Sequence, residues 1–99
     1  VVEIRFEPVD FMQHNLLILQ PGSLEKVGAK ADALAQDPQG SSRNYVPKMP
    51  EVLYATPLVD PEGKYSLKFR VPATAGDYPY ACSYPGHWRM MNGIMKVVK

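Results

Sequence analysis

Alternating apolar and polar side chains mark the first structural element. Val2, Ile4 and Phe6 alternate with charged residues until Pro8, which is the period of a strand with one buried face. The apolar run at residues 16–19 then stops at a Pro-Gly pair, and a run of this length predicts a strand buried on both faces. The chain therefore opens with two predicted strands.

One helix is predicted after the second strand. Ser23 belongs to a residue type that caps helices, and apolar positions recur behind it at steps of three and four before Asp37-Pro38. These positions are Leu24, Val27, Ala31 and Leu34. Residues 39–50 are polar and broken by glycine and proline, so we expect a surface flap there.

Four more strands are predicted in the second half of the chain. They cover residues 52–58, 64–71, 78–82 and 93–99. Pro57 places the end of the first of these at a sheet edge or a bulge. Parity puts Tyr78, Tyr80 and Cys82 on one inward side of their strand. Six strands, one helix and no internal repeat predict an all-β sandwich or barrel.

Length and charge narrow the class of protein. The 99 residues suit one domain, which we place at residues 1–99. Ten prolines disfavour long helices. A net charge of +1 without any run of like charges argues against a nucleic-acid partner. The longest apolar stretch is far below the roughly 20 residues of a membrane-spanning helix, so no membrane span is expected.

Scarce metal-binding residue types fall at an informative spacing. The chain has one cysteine and two histidines. Cys82, His87 and Met91 share one loop, and His14 comes from a distant strand end. Two imidazoles, one thiolate and a weak thioether are the donor set of electron-transfer copper. The sequence therefore predicts a copper site.

Other chemistries for the same residues are weaker. A buried cysteine alone is most often a small apolar residue, and only its spacing to His87 reverses that interpretation. A cysteine nucleophile would need an orienting acid or an oxyanion device, and neither accompanies Cys82. Closed zinc sites rarely include methionine. Copper delivery or storage favours exposed sites that are rich in methionine or hold two cysteines.

Three segments resemble the plastocyanin/azurin group of cupredoxins. They are His14-Asn15, the run YACSYPGH at residues 80–87, and Met91-Asn92-Gly93. The resemblance implies a cupredoxin-like Greek-key β-sandwich with one short helix in a flap. The family normally has about eight strands, so we expect the first one or two N-terminal strands to be absent. We also expect an exposed sheet edge and a chain that is a fragment or module of a longer protein.

The resemblance implies a set of copper ligands. The equatorial ligands would be His14, Cys82 and His87, and the axial ligand Met91. Azurin-type spacing favours Met91 over Met90, which a one-residue slip of the loop would present instead. The backbone carbonyl of Gln13 lies where azurin-like proteins offer a further weak ligand, although glycine is usual at that position.

The resemblance also implies supporting residues around the copper. The amide of Asn15 would tie the end of the His14 strand to the Cys82 loop, with Ser83 at the other end of the bond. An apolar docking patch would surround the edge of His87, through which electrons would pass. Its members would be Met12, Pro85, Trp88 and Met90, and a packing residue is the alternative role for Trp88.

The implied function is electron transfer by one type 1 copper ion cycling between Cu(I) and Cu(II), without enzymatic turnover. Redox proteins or domains would be the partners. The alternatives are a domain through which electrons enter a larger oxidoreductase, and a copper delivery or storage protein. The family implies a periplasmic or other extracytoplasmic location, although no signal peptide is visible in this chain. A second copy could pair at the uncapped edge.

Overall fold

The computed structural model describes residues 2–8 and 11–98. Val1 and Lys99, at the two ends of the predicted domain, lie outside the described residues. The strands are β1 (Val2–Phe6), β2 (Leu17–Leu19), β3 (Val52–Ala55), β4 (Tyr65–Phe69), β5 (Gly76–Ala81) and β6 (Asn92–Val97), and the helices are α1 (Leu24–Ala35) and the short 3-10 helix Ser41–Arg43. Within the described residues, the predicted six strands and single α-helix are confirmed.

Two antiparallel sheets form the sandwich. One pairs β1 with β4, and the other has the order β3-β2-β5-β6. Strands β2 and β5 are far apart in sequence but adjacent in the larger sheet. Because they run antiparallel, the start of β2 and the end of β5 lie at the same end of the sheet. This adjacency brings distant segments of the chain together.

Strand β2 is buried on both faces, as its apolar run predicts. Leu17 and Leu19 pack with Val27 of α1 on one face. Ile18 points the other way and packs with Leu67 and Phe69 of the smaller sheet, in a second core cluster. Successive strand residues point to opposite faces. The helix and the second sheet therefore cover the two faces of one central strand.

The helix begins as predicted, with Ser23 at its N-cap position, but the side-chain bond that serine favours there is not made. The Ser23 carbonyl accepts the Val27 N–H at 2.9 Å, but the Ser23 side chain makes no capping hydrogen bond. Its hydroxyl instead donates to the carbonyl of Gln20 at 2.7 Å, because the tight turn before the helix brings that oxygen within reach. Helix α1 has 12 residues. Among the described residues, no helix has the length and apolar character needed to cross a membrane.

Two other local expectations also need correction. Residues 39–50 are not simply a surface flap, because Val46 and Met49 pack against the core cluster beside α1. Tyr80 does not share the burial of Tyr78, since 39% of it is exposed. Its ring lies over Gly93 of β6, at the edge of the larger sheet. A glycine there leaves room for the ring.

Candidate metal centre

His14 and Cys82 meet at one end of the larger sheet. Leu17 of β2 pairs with Ala81 of β5, so the residues just before β2 and just after β5 lie side by side. A backbone bridge to Val59 fixes His14. The His14 N–H donates to the Val59 carbonyl at 3.1 Å, and the Val59 N–H donates back at 2.7 Å. Both His14 and Cys82 are buried.

His87 completes a cluster of three candidate ligands. The Sγ of Cys82 lies 3.6 Å from the Nδ1 of His14 and 3.6 Å from the Nδ1 of His87. One ligand atom from each residue lies within 4.8 Å of the other two. Bonds of about 2.3 Å to sulfur and about 2.0 Å to nitrogen, meeting at roughly 120°, would separate sulfur from nitrogen by about 3.7 Å. The two sulfur–nitrogen separations therefore match those expected when all three donors bind one metal ion.

Backbone hydrogen bonds fold the loop between β5 and β6 back on itself. The N–H of His87 donates to the Tyr84 carbonyl at 2.9 Å, and the N–H of Met91 donates to the His87 carbonyl at 2.8 Å. The N–H of Cys82 then donates to the Met91 carbonyl at 3.0 Å. These bonds hold the backbone of Met91 beside the cysteine.

The two loop methionines differ in exposure. Met90 is 90% exposed and Met91 is 39% exposed. Both line a cavity of about 430 Å³ that also reaches Cys82. The side-chain amide of Gln13 donates to Asp60 at 2.6 Å. Coordination by Met91, or by the Gln13 carbonyl, stays a prediction.

Asn15 and Ser83 form a closed pair of hydrogen bonds directly behind the ligands. The Asn15 Nδ2 donates to the Ser83 hydroxyl at 2.9 Å, and the Ser83 N–H donates to Asn15 Oδ1 at 2.7 Å. Both residues are almost fully buried. Because they adjoin His14 and Cys82 in sequence, the pair links the two ligand-bearing segments. Such linkage can orient ligands before a metal arrives.

Residues 44–45 provide two backbone acceptors for Asn15 and Ser83, and the sequence did not predict this contact. The Asn15 Nδ2 also donates to the Asn44 carbonyl at 2.9 Å, and the Ser83 hydroxyl donates to the Tyr45 carbonyl at 2.6 Å. Asn44 and Tyr45 have φ values of 55° and 54°. Asparagine tolerates this left-handed region, whereas tyrosine rarely adopts it. Only the asparagine offered a signal in the sequence.

The predicted docking residues are unequally exposed. Met12 and Met90 are 45% and 90% exposed, whereas Pro85 and Trp88 are half-buried. Trp88 turns towards α1, where its indole N–H donates to Asp32 at 3.1 Å. Phe11 is almost fully exposed and was not among the predicted docking residues. An apolar side chain in a predicted loop was the available signal.

Neighbouring side chains hold Asp32 in its ionised form. Hydrogen bonds from Arg89 and then from Trp88 lower the pKa of the Asp32 carboxyl below its ordinary value. The carboxylate therefore stabilises the fold above the ordinary pKa, and this contribution is lost as the pH falls through the lowered folded pKa. We expect Arg89→Ala to raise the Asp32 midpoint in an NMR titration of the metal-free protein. An unchanged midpoint would contradict this assignment.

The sequence and the fold both match a known family. The profile of the family described as "Copper binding proteins, plastocyanin/azurin family" matches residues 2–98. Azurin iso-2 from Methylomonas sp. (strain J) is 36% identical over 96 residues, which cover 91% of this chain and 68% of that protein. This chain belongs to the plastocyanin/azurin family of copper-binding proteins. The predicted cupredoxin-like fold and copper cofactor are thereby confirmed.

Solved structures of family members share the architecture. Auracyanin A, a "blue" copper protein from Chloroflexus aurantiacus, superposes with a TM-score of 0.80 at 31% identity and covers 97% of this chain. The azurin Az-iso2 of Methylomonas sp. strain J gives a TM-score of 0.79 at 30% identity and covers 98%. The chain spans 58% to 68% of the length of the curated azurins and auracyanin that it matches.

Membership of the family and the donor geometry agree on the metal. His14, Cys82 and His87 are positioned for a single copper ion. Thiolate sulfur favours Cu(I), while imidazole nitrogen binds copper in either oxidation state. The three side chains of this cupredoxin that converge in space are thus a donor set suited to copper.

Proposed function

We propose that this cupredoxin transfers single electrons through one type 1 copper ion and has no catalytic turnover of its own. The observation that carries the proposal is the convergence of one thiol and two imidazoles on a single point in a plastocyanin/azurin family member. When bound, copper would supply one-electron chemistry between Cu(I) and Cu(II). The role of the protein is to hold the donors.

Rigidity of the donors supports this function. His14 is fixed by its bridge to Val59, and Asn15 and Ser83 link the two ligand segments. A site whose ligands move little between oxidation states needs little rearrangement when an electron arrives or leaves. The fixed arrangement therefore suits fast electron exchange.

The loop between β5 and β6, residues 82–91, is called the ligand loop, and its exposed side is the proposed contact with redox partners. His87 is half-buried, unlike the other two clustered residues. The exposed side chains of Met12 and Met90 belong to the predicted patch around it, and Phe11 adds a further exposed apolar group. Small apolar contacts suit brief encounters with a partner protein. The same surface would serve if electrons enter a larger oxidoreductase through this domain.

Burial of the ligands weighs against copper delivery or storage. His14 is 5% exposed and Cys82 is 6% exposed, so an acceptor protein has little access to the metal donors. Family membership also supports an extracytoplasmic location, in keeping with the expectation from the resemblance. We propose retention of the ion, with electrons as the transferred species.

Copper loading tests the function. Addition of Cu(II) to the metal-free protein is expected to give an intense visible thiolate-to-copper band and a type 1 EPR spectrum. Reduction should bleach the band, and reoxidation should restore it over repeated cycles. A colourless copper protein would overturn the proposal. Rapid loss of the copper to a chelator in both oxidation states would favour delivery instead.

Paired methionine variants test the axial ligand. Met91→Leu is expected to keep the visible band and to raise the reduction potential, because an apolar side chain in place of an axial donor destabilises the more highly charged Cu(II) relative to Cu(I). Met90→Leu is the matched control, since it makes the same change at the neighbouring and more exposed position. Voltammetry measures both potentials. A shift in Met90→Leu alone would reverse the assignment.

A further inference from the structure

Helix α1 contacts the ligand loop at a cluster that the proposed function leaves unexplained. Asp32 of α1 accepts the indole N–H of Trp88 at 3.1 Å. Its other carboxylate oxygen accepts from Arg89 at 2.8 Å. The Arg89 guanidinium also lies over the Trp88 ring, 4.6 Å from its centroid. One carboxylate thus binds two consecutive residues of the loop.

The indole of Trp88 packs against Gly28 of the same helix. Positions 28 and 32 are one helical turn apart and lie on one face of α1. A Cβ at Gly28 would collide with the fused ring atoms of Trp88. The close approach of the indole therefore requires a glycine at position 28. Gly28 and Asp32 together form the packing site of Trp88 on α1.

The contact is placed where it can fix the metal ligands. Trp88 and Arg89 lie in the loop between His87 and Met91. On the other side of the same turn, the side-chain amide of Asn92 donates to the Trp88 carbonyl at 3.0 Å. Movement of Trp88 would shift the adjoining His87 backbone, whose carbonyl accepts the N–H of Met91.

We propose that the contact of Gly28 and Asp32 with Trp88, termed the brace, holds the ligand loop against α1. Asp32 is then a positioning residue for His87 and Met91. The part of this inference that concerns copper rests on the proposed function. Asp32 does not touch the metal donors. It acts through Trp88, and its effect is to narrow the range of positions that the loop can adopt before copper binds.

The same helix offers a matched control. Lys26 of α1 forms an ion pair with Glu51 at 2.6 Å. This pair links the helix to the segment before β3 and includes no residue of the ligand loop. A variant at Lys26 therefore removes a tether of similar chemistry from the same helix. If α1 acted only by stabilising the fold, Lys26→Ala and Asp32→Ala would affect the site alike.

Measurements on the metal-free protein test the brace without copper. In Asp32→Ala we expect amide hydrogen exchange at residues 87–91 to accelerate about 10-fold relative to Lys26→Ala, because local opening of the loop becomes easier. Fluorescence of Trp88, the only tryptophan, should shift to the red. Unchanged exchange and emission would overturn the proposal, whatever the metal chemistry proves to be.

Measurements on the copper-loaded protein test the consequence for the site. Asp32→Ala is expected to weaken copper binding about 3- to 10-fold, to shift the reduction potential and to broaden the copper EPR lines. Asp32→Asn should restore most of each property, because its amide oxygen still accepts the indole N–H. Identical potentials in Asp32→Ala and Lys26→Ala would overturn the positioning role. A wild-type protein without the blue band would instead overturn the proposed function.

Gly28→Ala displaces the indole without touching Asp32. The new methyl group should force Trp88 off the helix, so loop exchange and the potential should change in the same direction as in Asp32→Ala. Alanine is the better helix former by about 1 kcal/mol, so helix propensity alone predicts the opposite effect on stability. A Gly28→Ala protein with unaltered Trp88 emission and loop exchange would contradict the brace.

Discussion

Substituting serine for Cys82 is expected to abolish the intense visible absorption of the copper-loaded protein. The band depends on charge transfer from a thiolate, and a serine oxygen is a far poorer donor. Loss of the soft sulfur should also weaken Cu(I) binding by about 100-fold or more. Absorption spectroscopy and a chelator competition measure the two effects. Cys82 lies 3.6 Å from both imidazoles, so its replacement affects the centre of the donor cluster.

Stability separates this effect from unfolding. Serine is close to cysteine in size, and burial of its hydroxyl should change the free energy of unfolding of the metal-free protein by no more than about 2 kcal/mol. Met95→Leu is the control, because Met95 packs against the core cluster around Ile18 and its loss should leave the band intact. A Cys82→Ser protein that stayed blue would refute the assignment of the thiolate.

Truncation of Asn15 to alanine is expected to give the largest loss among the supporting residues. Three hydrogen bonds would disappear, leaving the buried Ser83 N–H without its Asn15 acceptor. A buried polar group without a partner costs about 1 to 3 kcal/mol, so the free energy of unfolding should fall by about 2 to 4 kcal/mol. Copper affinity should fall about 10- to 100-fold although all the ligands remain.

Two serine variants calibrate the Asn15 result. Ser83→Ala removes the hydroxyl but keeps the bond from its N–H to Asn15, so a smaller loss is expected. Ser42→Ala removes an exposed bond to the Gln39 carbonyl, away from the site, and should change stability by less than about 0.5 kcal/mol. Chemical denaturation and copper titration measure all three. If Asn15→Ala behaved like Ser42→Ala, Asn15 would not link the ligand segments.

Sequence reasoning found the ligands more readily than their surroundings. Cys82, His87 and the proposed axial ligand Met91 share one loop, so their spacing is visible in the chain. The brace was not predicted, because Asp32 and Trp88 are 56 positions apart and neither belongs to a recognisable motif. The link between Asn15 and Ser83 was expected only through the resemblance to azurin-like proteins.

Local pattern determined the elements of this protein. Alternation and short apolar runs specified the strands, and the spacing of three and four specified α1, because side-chain direction follows from the backbone period alone. Strand alternation predicted an inward Tyr80, and this was wrong. The exposure of Tyr80 depends on its neighbour Gly93 in β6, which has no side chain to cover the ring. Ser23 takes the N-cap position as predicted, but its hydroxyl donates to the Gln20 carbonyl in the preceding turn and makes no side-chain capping bond.

Tertiary structure decided what meets at the site. Pairing of β2 with β5 places His14 beside Cys82, and no local rule specifies which distant strands become neighbours. Two other features likewise arise only when separate segments pack together. They are the left-handed backbone at Asn44 and Tyr45 and the packing of Trp88 against Gly28 of α1. The sequence by itself determined the ligand types and the strands beside which they lie, whereas packing over long separations decided their convergence and the contacts that hold them.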